Sequence, residues 1–499
     1  MRRPFAALLA LVALVALVTT ACGSSVLTER AAGTAGKSGS TIVAGGVGGA
    51  AGTDGGAAAA GTGGATPIGA PGRSTGGGGS TATGGATPAA ASGLAYKLGV
   101  PGFTQGITAT TIRIGIPVIA NAGAAAGLLG AANIRPGDNG LETRALVADI
   151  NQHGGINGRK IDPQFYAVDF GNPASVEANV LAACNHFADD LKVFAILMVI
   201  NPPVSFVSCA AQKGVIMLNG SLNPLDDEVI KSAAPWYYSP TLVSETRFWA
   251  PLLDSVGRRG VIKKGDKVAV FALDDTPFPR IADQTVIPAL KARGYDVVAY
   301  ERVATEAAIQ NAVLRFRQSG ATHVVFVQNS GVADLLFMRQ AEAQKYRPTY
   351  LMSSYDVPGY LLEGNVAPEQ VAGIQGIGWS PLSDVAPNRV PLNPQESRCF
   401  DVLTKGGEPQ SQRQDFLTAE FTCDLVWSFE AIARAAGPEL STVTFAQGFH
   451  AVGTSYKPVV VFSTDLSSAR VDGVSSFRPM GWAASCKCLQ YQGPPERMP

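Results

Sequence analysis

Val193-Phe-Ala-Ile-Leu-Met-Val-Ile200 is an unbroken apolar run, followed at once by Asn201-Pro202-Pro203. A strand that faces water on one side alternates apolar and polar residues. One that is apolar throughout has to be covered on both faces, as in a parallel sheet flanked by helices. The prolines that follow suit the first turn of a helix, where the missing N–H costs nothing. Strand, turn and helix start are thus compressed into a dozen positions, and they predict a parallel α/β sheet.

The same alternation extends outward from this run. Towards the N-terminus lie a strand at Ile112–Val118, a helix over Leu141–Asn151 that ends at Gly154-Gly155, a strand at Ile161–Val168 and a helix over Ala174–Phe187. Val215–Leu218 is the next strand. The pattern then restarts, with strands at Lys267–Leu273, Val297–Tyr300, His323–Gln328 and Thr349–Ser353, and helices over Ile281–Arg293, Glu306–Ser319 and Val332–Gln344 between them. Two such series predict two α/β lobes with parallel sheets. Roughly 400 residues are also too many for one hydrophobic core.

The N-terminus sets the compartment. Arg2 and Arg3 precede an apolar run from Phe5 to Val18, and Thr19-Thr20-Ala21-Cys22 follows. This is the layout of a secretory signal, with an apolar run short of the ~20 residues a membrane span needs. Cys22 resembles the lipidated cysteine of a bacterial lipobox, although Thr19 stands where leucine is usual. Residues 1–21 are therefore expected to be a lipoprotein signal peptide and Cys22 the anchor. Residues 22–95 are dominated by Gly, Ala, Ser and Thr. Such a stretch cannot offset its ordering entropy and is expected to be a flexible, disordered linker, spanning on the order of 45 Å. Near-matches in it to a nucleophile elbow (Gly72 to Gly76) and to a P-loop (Ala31 to Ser38) lack the strand and helix those motifs require.

Charge and cysteine content narrow the function. Lys and Arg together number 39, as do Asp and Glu, so nothing suggests a nucleic-acid partner. Without Cys22, six of the seven cysteines remain, an even number that suits an oxidising compartment. Six cysteines allow about 15 pairings. Joining near neighbours is the simplest: Cys184–Cys209, Cys399–Cys423 and Cys486–Cys488. No CxxC occurs and no histidine has ligand spacing, so no metal or cofactor is expected. The folded region also lacks HExxH, GxSxG and a complete P-loop, and Asp274-Asp275 are sequence neighbours whose side chains diverge at a strand end. The chain reads as a non-enzyme.

One stretch carries a family resemblance. Asp149-Ile-Asn-Gln-His-Gly-Gly-Ile-Asn-Gly-Arg-Lys-Ile161 resembles the signature of type I periplasmic binding proteins, in the leucine/isoleucine/valine-binding branch. The resemblance runs from about Ile107 to Tyr491 and includes Ala272-Leu-Asp-Asp275 and Met338-Arg-Gln-Ala341. It implies two Rossmann-like lobes joined by a three-stranded hinge, with crossings near Ser239, Ile374 and Val459. On that basis the first lobe comprises residues 107–239 and 374–458, and the second 240–373 and 459–499. It further implies a Cys184–Cys209 disulfide and a lipid-anchored receptor on the extracytoplasmic face of the cell membrane. Such a receptor passes a small solute to the permease of an ABC transporter. A lipid-anchored ligand sensor without transport is the alternative.

In parallel α/β sheets, ligands sit beyond the carboxyl ends of the strands. The candidates there are Asn121, Asn201, Pro202, Ser221, Asn223, Asn329, Ser330, Ser354 and Asp356, with Tyr238, Phe278 and Tyr355 as walls and Thr241 beside the hinge. In the family, acidic groups and a tyrosine hold the ligand ammonium. The resemblance places Thr241 and Ser354 at the acidic positions and Ser330 at the tyrosine, and Asp356 is the nearest acid. The expected ligand is therefore a small polar solute, amino-acid-like or amide-like, held in an altered pocket.

Overall fold

The computed structural model describes residues 102–121, 135–169, 173–199, 201–220, 225–328, 331–467 and 470–499. The signal segment, Cys22 and the linker lie outside them, as do Ser221, Asn223, Asn329 and Ser330. Among the described residues no helix is long and apolar enough to cross a membrane.

The first lobe is built on five parallel strands: β1 (Thr111–Ala120), β2 (Lys160–Asp169), β3 (Ala195–Met198), β4 (Ile216–Asn219) and β5 (Tyr237–Tyr238), in the order β2-β1-β3-β4-β5. All four residues of β3 are buried, as the apolar run predicts. The strand is shorter than that run because Val193 and Phe194 already donate their amides to Phe187 and Arg113. The helices Asn139–Gln152, Pro173–Asn185 and Val204–Gln212 supply the crossovers. The cystine Cys184–Cys209 ties the second of these helices to the third, and Cys399–Cys423 ties the helix Pro394–Lys405 to the helix Ala419–Ala435.

The signature stretch is a helix stop. Gly154, Gly155, Asn157 and Gly158 all have positive φ. At Gly155 a Cβ would lie 2.1 Å from the carbonyl oxygen of Arg159, so glycine is required there by contact as well as by conformation. Arg159 then donates to the carbonyls of Thr108 and Pro438, which locks the turn to two distant segments.

The second lobe contains β6 (Lys267–Leu273), β7 (Asp296–Val303), β8 (His323–Val327), β9 (Thr349–Met352), β10 (Ile374–Gly378), β11 (Ser476–Ala483) and β12 (Cys488–Tyr491), in the order β12-β11-β10-β9-β8-β6-β7. A short β13 (Glu496–Arg497) also pairs with β11. One expectation is corrected here. The second sheet is mixed rather than parallel, because β11 and β12 form an antiparallel hairpin beside β10. The connection between those two strands is too short for a parallel crossover. The cystine Cys486–Cys488 sits at this hairpin. Strand β10 pairs with β9 and β11 within this sheet.

Strand alternation partitions the core of the second lobe. Val268, Val270, Ala272, Val325 and Val327 join a cluster that continues through the hinge aromatics Phe248, Trp249, Tyr355 and Trp379 into the first lobe. Ala269, Phe271, Val324 and Phe326 point the other way, into a cluster with Phe316 and Phe337. Three crossing segments meet between the lobes. Ser239 bridges Asp472, the Val474 amide donates to the Leu242 carbonyl, and the Phe462 amide donates to the Trp379 carbonyl.

Candidate functional site

The carboxyl ends of both sheets face the region where these segments cross. On the first lobe, Asn121 ends β1 with a positive φ, and its amide donates to Asp169 at the end of β2 (2.9 Å). Asn201 and buried Pro202 follow β3 and lead into the helix Val204–Gln212, whose Ser205 hydroxyl donates to Glu177 (3.1 Å). At the end of β4, the Asn219 amide donates to the Tyr237 hydroxyl (3.0 Å).

On the second lobe the strand ends form a connected hydrogen-bond network. Gln328, after β8, donates from its amide nitrogen to Asp334 (3.0 Å) and Asp356 (3.1 Å), while its oxygen accepts from the Gly331 amide. Asp356 also accepts from the Ser353 amide and hydroxyl (2.6 and 3.0 Å), which completes a capping box after β9. Burial raises the carboxyl pKa of Asp356, and that of Asp334 well above the usual range, with the Asp356 charge adding to the second. Glu245, buried at the start of the helix Glu245–Arg258, is raised well above its usual range by burial and by the charge of Asp356. A single amide therefore bridges two carboxyls in a buried site, where burial favours the protonated form of each acid.

The sequence candidates separate accordingly. Asp356 has a structural job, since its oxygens accept from Ser353 and Gln328, so the acid nearest the family's ammonium position is already engaged. Ser354 is fully buried and its hydroxyl oxygen accepts from the amides of Trp379 and Ser380 (2.8 and 3.3 Å). Tyr355 packs against Phe248 and Trp379, with its hydroxyl donating to the Val243 carbonyl and accepting from the Val243 amide. Together Ser354 and Tyr355 join the end of β9 to two crossing segments. Tyr238 and Phe278 are not open walls. Tyr238 packs on Phe445 and Phe449, and Phe278 is 1 % exposed, because burying an aromatic ring outweighs leaving it at a wet surface. Thr241 is buried within the first crossing segment.

Sequence reasoning missed the seam where the lips meet. Arg280, on the short helix after β6, donates to both oxygens of Asp226 (2.7 and 2.9 Å) and to Glu228 (3.1 Å), which lie between β4 and β5 of the other lobe. Nearby, burial raises the pKa of Asp275, and the charges of Glu177, across the seam, and Asp274 add to the shift. The available signal was opposite charge on two strand-end loops, which a linear reading does not pair.

Comparisons with known proteins agree with this fold. Residues 142–363 match the family described as periplasmic binding protein. A branched-chain amino acid ABC transporter protein from Thermus thermophilus, solved with bound valine, superposes at TM-score 0.55 and 16% identity, covering 78% of this chain and 96% of that one. A solute-binding protein from R. palustris, solved with 4-hydroxybenzoate, gives TM-score 0.56 and 16% identity, covering 78% and 98%. A fatty acid ABC transporter substrate-binding protein from Thermomonospora curvata gives 0.55 and 13%, covering 79% and 92%. No curated protein sequence matches the chain.

Proposed function

We infer that this chain, a type I periplasmic binding protein of the leucine/isoleucine/valine-binding-like branch in its fold, is the extracytoplasmic solute receptor of an ABC importer. It takes a small polar solute, amino-acid-like or amide-like, between its two lobes and delivers it to a membrane permease. The observation that carries this reading is two α/β sheets joined by three crossing segments and touching through Arg280 and Asp226, an arrangement in which one ligand can contact both lobes and shift a hinge equilibrium. Asn121, Asn201, Pro202, Ser221 and Asn223 on the first lobe and Asn329 and Ser330 on the second are the proposed ligand contacts, with Thr241 beside the hinge. Ser354, Tyr355 and Asp356 act one layer behind, holding the second-lobe row in place. Tyr238 and Phe278 support the walls from within the core.

Structural relatives of similar likeness carry valine and 4-hydroxybenzoate, so backbone likeness does not select the solute. Because Asp356 already accepts from Gln328 and Ser353, the reading favours solutes that offer amide or hydroxyl groups over those that rely on a buried ammonium–carboxylate pair. Thermal unfolding of the full chain against amino acids, amides, ureas, carboxylates and sugars tests this. A solute at 100 times its Kd adds about 2.7 kcal/mol of stability. A shift with amides or ureas and none with amino acids supports this preference, a shift with amino acids alone overturns the preference while keeping the receptor reading, and no shift with any of these classes contradicts the receptor reading. Anchoring through Cys22 is tested by acyl labelling, which Cys22→Ser should abolish.

A further inference from the structure

We propose that Arg280 is a positioning residue that holds the second lobe against the first through Asp226, and so sets the lobe angle at which solute is bound; this rests on the two-lobed receptor reading above. Arg280 follows β6 of the second sheet, whereas Asp226 and Glu228 lie between β4 and β5 of the first. The pair therefore spans the lobes by topology.

Its geometry is that of a strong ion pair. The Nε and Nη2 atoms of Arg280 donate to the two oxygens of Asp226 at 2.7 and 2.9 Å, a two-pronged contact that is directional as well as attractive. The Asp226 side chain is 6% exposed and that of Arg280 25% exposed, so solvent screens the pair weakly. Glu228, 66% exposed, adds a third and weaker contact. Asp226 also accepts from the Val229 amide, which caps its own helix and fixes where the carboxylate points. The position is therefore preset on the first lobe, and Arg280 docks onto it.

The other ion pairs among the described residues lie within one lobe, except Arg247–Asp472, which pins the third crossing segment itself. At this seam the negative charge of Glu177, on the first lobe, raises the pKa of Asp275 on the second. Asp227, the next residue, accepts from Ser244 on the first crossing segment, so a shift of this loop also reaches the hinge.

The test uses the full chain with spin labels at the exposed positions Leu181 and Leu314, one on each lobe. Arg280→Ala should lengthen and broaden the inter-label distance distribution by several ångströms, and Arg280→Lys, which keeps the charge but not the fork, should give a smaller change. Exchanging the pair, Arg280→Asp with Asp226→Arg, should recover part of the parent distribution, which no merely structural loss would do. For any solute that shifts melting, Arg280→Ala should weaken binding about tenfold by depleting the competent state. A distribution for Arg280→Ala that superimposes on the parent, in a variant with parent far-UV circular dichroism, overturns the proposal and leaves the receptor reading standing. If Arg280→Ala does not fold, unchanged distances in Arg280→Lys and Glu228→Gln overturn it equally. Lengthened distances in a chain that binds no solute support the ion pair and count against the receptor reading alone.

Discussion

The two strand-end rows are built differently. On the second lobe, Gln328, Ser353 and Asp356 bond to one another, Ser354 and Tyr355 bond to two crossing segments, and buried carboxyls with raised pKa values stand behind them. On the first lobe, Asn121 donates to Asp169 and Asn219 donates to Tyr237. Asn121 is exposed, whereas Ser354 is fully buried. A buried, hydrogen-bonded row on one lobe and a row that begins at an exposed asparagine on the other suit a receptor in which the two faces contribute differently to binding. Networks of this kind behave as units in a low-dielectric setting, so removing one member strands the rest.

The largest effect should come from Gln328→Ala, which leaves Asp334 and Asp356 without the amide between them. It should cost about 2–3 kcal/mol in urea denaturation, and a cost under about 0.5 kcal/mol would break the contrast between the rows. Gly155→Ala is next, at about 2 kcal/mol, because the added Cβ meets the Arg159 carbonyl in a left-handed turn. That loss belongs to neither row and calibrates them. The smallest is Asn121→Ala, within about 0.5 kcal/mol in stability. If Asn121 touches solute, the same change lowers affinity instead, which separates a binding role from a packing one.

The acids supply a pH test of the same contrast. Burial raises Asp424 to about 6, Asp384 to about 7 and Glu420 to about 8. Each would titrate near 4 in the unfolded chain. From about pH 4 to 8 the unfolded state has released protons that the folded state keeps, so stability contributed by these groups is complete at low pH and is lost as pH rises through the folded values. Asp384 lies in the second crossing segment, where its carboxylate accepts from the Tyr491 hydroxyl and the Ser380 amide. Asp384→Asn should flatten the decline between pH 5 and 8 by about 1–2 kcal/mol, read by denaturation at each pH. A profile as steep as the parent's would remove Asp384 from the explanation.

Much of the architecture was legible because it rests on local chemistry. Apolar runs such as Ala195–Met198 have no stable alternative to a covered strand, and the positive-φ glycines after Gln152 mark a helix stop that only glycine fits. The three near-neighbour disulfides were also reachable from spacing and compartment. The antiparallel hairpin of β11 and β12 was not, because Ser476–Tyr491 mixes polar and apolar residues and its partner β10 lies about 100 residues earlier. In the site, Ser353-x-x-Asp356 could have been read as a capping box, which would have shown that Asp356 has a structural job. The docking of Arg280 on Asp226 was out of reach, since it depends on how two loops from different sheets are brought together. Helix stops and strand runs are decided within a dozen residues. Side-chain partnerships across a seam are decided by the whole fold.

The most direct measurement is hydrogen–deuterium exchange of the full chain with and without a solute that raises its melting temperature. Binding between the lobes predicts simultaneous protection of both rows, around Ala120–Asn121 and Asn201–Val204 on one lobe and Asp274–Thr276 and Gln328–Val332 on the other, together with the crossing segments. Protection confined to one lobe, or to surfaces away from the strand ends, would contradict it.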